Sequence, residues 1–431
     1  MLRIRGGNKI EGSVSARGAK NAVIPLLASL LLSDGLYSIS NFPHIDDATH
    51  ILLMLSSLGV KYSSLSANGE ITLNVKYNKN SIIPLELYGK IRAGYLLSIA
   101  ACIRSGKSII YAPGGDKIGI RSLNPLFSAL EDSGIEVKSD SLGFVIEKTN
   151  RKFKKNIFLP QPAVTATEGC ILANVIGDTG EEVEIQNAAC EPHVQFLCNT
   201  LNKRGAIIDG VGSNVLRIKR VNKLTDINNR IVMDPDELYI LTFVIYSLIT
   251  KGSGIKAKVN PSSVIPILTH LKYFNIKYEL NDDLLYVPGK QDIYINEEFN
   301  VYDNMGFYSQ PWPMFPTDLL NPLILIGNLS DSKFIFFEKM YEKRITSSKD
   351  LLDFNFKLQV LDEQRVLTLG KSVLKSNITK TCLDVRHGVT LVGAALASNG
   401  ETLLNDEYHI FRAYHNLIPN LQELGADIDY V

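Results

Sequence analysis

The strongest constraint on the fold is a helix stop that recurs along the chain. Amphipathic helices closing on a Leu-x-x-Leu-Gly-like pattern are read at Ile51–Gly59, Leu126–Gly134, Val194–Gly205, Ile265–Asn275 and Ile418–Gly425, with a weaker copy ending near Asn355. The stops fall roughly 70–80 residues apart, the signature of an internal repeat. Gly or Asn at such a place is the left-handed residue that ends a helix. An alternating segment follows most of the stops, as in Ile135-Glu-Val-Lys138 and Ala206-Ile-Ile-Asp209, and reads as a strand.

Each repeat holds a second helix that is apolar nearly all round. These are Ala22–Ser33, Ile91–Arg104, Ala166–Ile176, Leu238–Thr250, Asp318–Ile326 and Val389–Ser398. A helix without a polar face belongs inside a domain. The repeats predict an α/β (α+β) chain: a two-lobed, pseudo-symmetric fold of six strand-helix-strand-helix-strand-strand units, with apolar helices inside and sheets outside. A length of 431 residues agrees with two domains. The expected lobes are residues 20–233 and residues 1–19 plus 234–431. The strand Leu2–Arg5 is expected to join the last units, which lack a first strand of their own.

Composition excludes several classes. Lys+Arg and Asp+Glu are equal at 45 each, so no global field favours nucleic acid or an anionic membrane as partner. Five scattered cysteines include no CxxC pair, which indicates neither a disulfide framework nor a zinc knuckle and fits a reducing, cytoplasmic setting. The seven histidines show no paired metal spacing. The apolar run Ala22–Leu32 contains Pro25 and is too short to span a bilayer.

The charges are placed unusually. Acids at helix starts, such as Asp46, Asp47 and Asp234, are explained by capping and the helix dipole. Lys20, Arg121, Arg344 and Arg412 are read at the same places with the wrong sign, at about a few tenths of a kcal/mol each. A bound anion removes that cost and gains from the cation and the helix amides together. Repetition of this placement points to a polyanion site. The stretch Tyr111-Ala-Pro-Gly-Gly-Asp-Lys-Ile-Gly-Ile-Arg121 sets three glycines and a carboxylate between a strand and a helix. It reads either as a surface hairpin or as a catalytic lid.

Specific motifs run the length of the chain: Arg5-Gly6-Gly7, Gly18-Ala-Lys-Asn-Ala22, Arg92, Pro113-Gly-Gly-x-x-Ile-Gly-x-Arg121, Ala166-Thr-Glu168, Gln186-Asn-Ala-Ala189 with Glu191-Pro192, Pro235-Asp236, Phe315-Pro-Thr-Asp318, Arg344, Asp384-x-Arg386, His409-x-x-Arg412-x-Tyr414 and Leu424-Gly-Ala426. In these the chain resembles the enolpyruvyl transferase family, in particular its members acting on UDP-N-acetylglucosamine at the first committed step of peptidoglycan synthesis. The resemblance implies two lobes of three units closing around phosphoenolpyruvate and UDP-N-acetylglucosamine. It implies addition and elimination with no metal and no cofactor.

It also implies residue roles. Asp318 is the base at the acceptor hydroxyl, or a cap of the helix it begins, or both. Asp116 stands where the family usually carries a reactive Cys. It takes the acid or phosphate-release role on the lid, or is a loop carboxylate paired with Lys117; in either case no thiol is present at that position for fosfomycin to alkylate. Lys20, Arg121, Arg344, Arg386 and Arg412 bind the donor's phosphate and carboxylate. Asn21 and Arg92 hold the sugar nucleotide, with Asp384, Val164 and Thr165 in the substrate-binding set. Glu191 and Asp236 either orient these cations or cap helices. The family's Ser-Val-Gly-Ala-Thr reads Ala163-Val-Thr-Ala-Thr167, its Pro-Asp-Arg-Ile-Glu reads Pro235-Asp-Glu-Leu-Tyr239, and its Asp-Arg-Gly-Tyr-Glu reads Phe411-Arg-Ala-Tyr-His415. These departures leave open another acceptor, such as a nucleotide or shikimate phosphate, and a non-catalytic sugar-nucleotide-binding paralogue. A monomer or weak homo-oligomer is expected.

Overall fold

The six stops share one backbone conformation. Gly59, Gly134, Gly205, Asn275, Asn355 and Gly425 have φ of +96, +84, +89, +59, +63 and +102°. Gly and Asn tolerate this region, so the residue type itself ends each helix. The computed structural model describes the chain except residues 80–81, 90, 93, 113–120, 150–151, 226–229, 301–305, 377 and 406, and the side chains of 407 and 408. The described residues form two compact units, one of residues 1–16 and 235–431, the other of residues 17–112 and 121–234. Each has its own apolar core.

The apolar helices centre those cores. Every residue from Leu238 to Ile249 is buried in the helix Glu237–Ile249, as is every residue from Ala166 to Asn174 in Val164–Asn174. The fifth apolar helix is shorter than its pattern suggests. It is α-helical over Thr317–Leu323, contains Pro322, and continues as a 3-10 helix over Ile324–Leu329. The weak amphipathic copy is likewise a 3-10 helix, Ile345–Phe354.

Sheet order repeats as well. In the unit of residues 17–112 and 121–234, Asn156–Phe158 pairs parallel with Glu182–Gln186, which pairs antiparallel with Val215–Lys219, and that strand with Ile207–Asp209. Five sheets among the described residues have this four-stranded form. The sixth has only Lys107–Tyr111, Gly143–Lys148 and Ile135–Asp140. Six complete units were expected from the pattern; among the described residues the second lacks its parallel edge strand. Two edge strands also come from distant sequence: Gly12–Val14 lies parallel to Gly254–Lys258, and Arg230–Val232 to Gly35–Ser40. Leu2–Arg5 joins the last repeat, pairing antiparallel with both Glu401–Asn405 and Asp427–Tyr430. It takes the place held elsewhere by a unit's last strand rather than its first.

Candidate active site

In the unit of residues 1–16 and 235–431, three charged side chains far apart in sequence converge. Asp318 lies in the first turn of its helix, where no side chain caps the amides. Its two oxygens are taken by two arginines instead: Arg344 Nη2 reaches Oδ1 and Arg386 Nη2 reaches Oδ2, each at 2.6 Å. Burial opposes the Asp318 charge, but Arg386 and Arg344 outweigh it and hold the carboxyl well below the usual range. Asp318 accepts from no backbone amide among the described residues, so it does not cap its helix.

Each arginine is held from behind. Arg344 Nη1 donates to Thr317 Oγ1 at 2.8 Å, and Arg386 Nη1 to the Tyr414 hydroxyl at 2.8 Å. The Tyr414 hydroxyl meets Thr242 Oγ1 at 2.9 Å. Asp384 caps the helix Val385–Ala397, accepting from the Arg386 and His387 amides at 2.8 and 3.1 Å. Asp384 therefore fixes the turn carrying Arg386. Asp236 caps Glu237–Ile249 by accepting from Tyr239 N at 2.9 Å, and its charge also favours the Arg386 cation. Both roles weighed for Asp236 thus have a structural basis.

Arg412 is buried, yet it follows the short helix Glu407–Phe411 instead of starting the helix Leu417–Glu423. The expected unfavourable dipole does not apply there. Arg344 likewise begins a 3-10 segment, not an α-helix.

The unit of residues 17–112 and 121–234 carries the remaining residues. Lys20 and Asn21 open the helix Lys20–Leu30. Lys20 Nζ meets Asp47 Oδ2 at 2.7 Å, and Asp47 is buried in the first turn of Asp46–Ser57. Capping alone, the expected role of Asp47, is an incomplete account: the carboxylate neutralises Lys20. Arg92 donates from Nη2 to the Arg121 carbonyl. Val164 and Thr165 are the first residues of the helix Val164–Asn174, and the Thr165 side chain bonds the buried Tyr95 hydroxyl. Glu191 occupies the cap position of Pro192–Lys203 without a side-chain cap bond. Asp116 lies outside the described residues.

Glu168 closes the Ala166-Thr-Glu168 motif. It is buried, its Oε1 has no hydrogen-bond partner among the described residues, and burial together with the Glu191 charge raises its carboxyl well above the usual range. Four of the cysteines are held as thiols. Burial pushes Cys102, Cys170 and Cys198 up to about 12, and burial with Glu191 pushes Cys190 up to about 11. Trp312 packs against the core of its unit. No three His, Cys, Asp or Glu residues among those described are grouped to hold a metal ion.

Two arginines sharing one carboxylate concentrate in this unit the forked donors that suit phosphate and carboxylate groups. Comparison with known proteins agrees. The family model for EPSP synthase (3-phosphoshikimate 1-carboxyvinyltransferase) matches residues 4–421. The chain is 34% identical to the UDP-N-acetylglucosamine 1-carboxyvinyltransferase of Treponema denticola, over 99% of its length and 98% of that protein. It is 34% identical to the protein of the same name from Borreliella burgdorferi, again over 99% and 98%. Among solved structures, the enolpyruvyl transferase NikO from Streptomyces tendae superposes with a TM-score of 0.85 at 19% identity, covering 99% of this chain and 98% of that one. EPSP synthase from Acinetobacter baumannii gives 0.71 at 15% identity, covering 100% and 99%. These two show the fold. The chain belongs to the EPSP synthase family of carboxyvinyltransferases, and it is a transferase.

Proposed function

We infer that the chain transfers the enolpyruvyl group of phosphoenolpyruvate to the 3′-hydroxyl of UDP-N-acetylglucosamine and releases phosphate, the first committed step of peptidoglycan synthesis. The observation that carries this reading is Asp318 clamped between Arg344 and Arg386 in a chain of this family. The reaction adds the acceptor oxygen to the phosphate-bearing carbon of the donor and a proton to its methylene; a proton then leaves the resulting methyl as the C–O bond to phosphate breaks, which restores the vinyl group. It needs a base at the acceptor hydroxyl and an acid for the methylene.

Asp318 is the base. In the structure both its oxygens are engaged by cations, which suppresses its basicity. Donor binding changes that. Phosphate and carboxylate compete for the arginine forks, and each fork that turns to the donor leaves an Asp318 oxygen free to accept a proton. The clamp thus couples base activation to donor occupancy. Lys20, Arg121, Arg344, Arg386 and Arg412 take the donor's anionic groups. Asn21, Arg92, Val164 and Thr165 take the sugar nucleotide, helped by the helix N-terminus. Glu191, Asp236 and Asp384 orient these groups. Asp116 acts as the acid on the lid.

One sequence departure loses its force as an argument for another acceptor. Tyr239 is buried, donates to the His415 carbonyl at 2.9 Å and accepts from Asn420 Nδ2 at 2.8 Å, so it is a packing residue. The test is phosphate release from phosphoenolpyruvate with UDP-N-acetylglucosamine, UMP or shikimate 3-phosphate. Release with the UDP-sugar is expected; release with only another acceptor sinks the assignment, and no release with any points to a binding paralogue. In the same assay Asp116→Ala abolishes turnover and spares sugar-nucleotide binding, and fosfomycin does not inactivate the wild type. Unchanged turnover in that variant removes Asp116 from the mechanism.

A further inference from the structure

A buried carboxylate that no motif singled out stands behind the clamp. Glu338 ends the strand Phe334–Glu338 and is 0% exposed. Its Oε1 accepts from Ser309 Oγ at 2.8 Å and from the amides of Met340 and Tyr341 at 2.8 and 3.2 Å. Its Oε2 accepts from the Thr317 hydroxyl. Thr317 Oγ1 in turn accepts from Arg344 Nη1 at 2.8 Å. A hydroxyl has one proton. Because Glu338 takes it, the Thr317 oxygen is left as a pure acceptor facing the guanidinium. The directed chain runs from Arg344 through Thr317 to Glu338, and separately from Arg344 to Asp318.

Two further facts bear on what this chain does. Arg344 is 5% exposed, and its Nε is buried with no hydrogen-bond partner among the described residues. The guanidinium therefore holds an unused donor besides the Nη2 given to Asp318. The backing bond to Thr317 does not involve the nitrogen that holds the base.

We propose that Glu338 is a positioning residue for the transfer reaction, acting through the Thr317 hydroxyl to keep Arg344 anchored while its Nη2 passes from Asp318 to the anionic groups of the donor and its unused Nε becomes available to them. The inference rests on the assignment of phosphoenolpyruvate as donor. With Nη1 fixed on Thr317, release of Asp318 costs Arg344 one bond and not its place. Without the fixed acceptor, the freed guanidinium loses its orientation as the base is unmasked. An amide cannot replace Glu338: the carboxylate accepts on both oxygens, whereas a carboxamide would turn a donor toward either Thr317 or the Met340 and Tyr341 amides.

The test is steady-state phosphate release with the full chain, varying phosphoenolpyruvate and the acceptor separately. The variants are Thr317→Val, Thr317→Ser, Glu338→Gln and the double variant Glu338→Gln with Thr317→Val. Direct binding of phosphoenolpyruvate is followed by calorimetry. Thr317→Val is expected to raise the donor KM and lower kcat/KM for the donor by roughly 10- to 100-fold, with the acceptor KM nearly unchanged. Thr317→Ser, which keeps the hydroxyl, recovers most of the loss. Glu338→Gln shows the same donor-selective loss, and the double variant is no worse than the worse single one, as expected for residues acting as one unit. Thr317→Val at the wild-type level overturns the proposal, and so do losses that add or that fall equally on the acceptor KM. Should Glu338→Gln fail to fold, the Val and Ser variants alone decide. Wild-type protein that uses another acceptor sinks the acceptor assignment only, since the donor KM is read equally well in that reaction. Wild-type protein that does not bind phosphoenolpyruvate overturns both.

Discussion

Asp318 and Glu168 are both carboxylates near the starts of apolar helices, and their environments drive them in opposite directions. Asp318 has an arginine on each oxygen and is held well below its usual range. Glu168 is buried beside another acid, has an orphan oxygen among the described residues, and is held well above. Burial acts the same way on both; the sign is set by what the neighbours carry. The unit with Asp318 presents an ionic network in which both carboxylate oxygens are paired. The unit with Glu168 keeps an unsatisfied acid in its interior. Pushing two titratable groups apart by environment is how one fold divides acid from base work.

The largest test of the contrast is Asp318→Asn. It removes the proposed base and leaves Arg344 and Arg386 without their shared anion. Turnover should fall about 10²- to 10⁴-fold and stability by up to about 3 kcal/mol. Phosphate release and thermal melting check the two effects; near-wild-type turnover would end the base assignment. For the wild type, the depressed carboxyl contributes stability that is present above the unfolded value of about 3.9 and lost as pH falls below it.

A smaller effect is expected at Lys20, whose partner Asp47 is buried at 2.7 Å. Asp47→Asn should raise the donor KM about tenfold, the size of one hydrogen bond to a charged group. An unchanged donor KM would mean that Asp47 serves folding alone.

The smallest effect concerns Glu168. A raised folded-state value means that stability is fully present below the unfolded value of about 4.3 and drains away as pH rises toward the folded one, by up to about 1.4 kcal/mol per pH unit. Glu168→Gln abolishes that slope. The melting temperature of the variant should therefore decline less than that of the wild type between about pH 5 and 8. Parallel melting curves would show that Glu168 titrates normally and that the contrast with Asp318 is false.

The legible parts of this fold were those where a residue type is physically forced. The six stops could be read because φ near +60 to +100° excludes most side chains, and Gly or Asn stands at each. The apolar helices could be read because a helix with no polar face has one place to go. Short edge strands could not. Gly12–Val14 and Arg230–Val232 are three residues each, and their partners lie about two hundred residues away, so neither periodicity nor proximity marks them. The site divides in the same way. Arg344 and Arg386 are 26 and 68 residues from Asp318, a convergence that spacing does not reveal and that motif resemblance supplied. Glu338 did leave a signal. Phe334, Phe336 and Glu338 share the inward face of one strand, and an acid on that face needs internal donors. The position of Arg412 was misread because the helix Glu407–Phe411 is only five residues long and its periodicity is too brief to register.

The strand Leu2–Arg5 bears on the order in which the polypeptide can mature. It is synthesised well before both of its partners, Glu401–Asn405 and Asp427–Tyr430. Gly12–Val14 waits in the same way for Gly254–Lys258. The described unit within residues 17–234 has no such debt and can collapse while synthesis continues. The unit that carries Asp318 can therefore be completed only after Asp427–Tyr430 has been made.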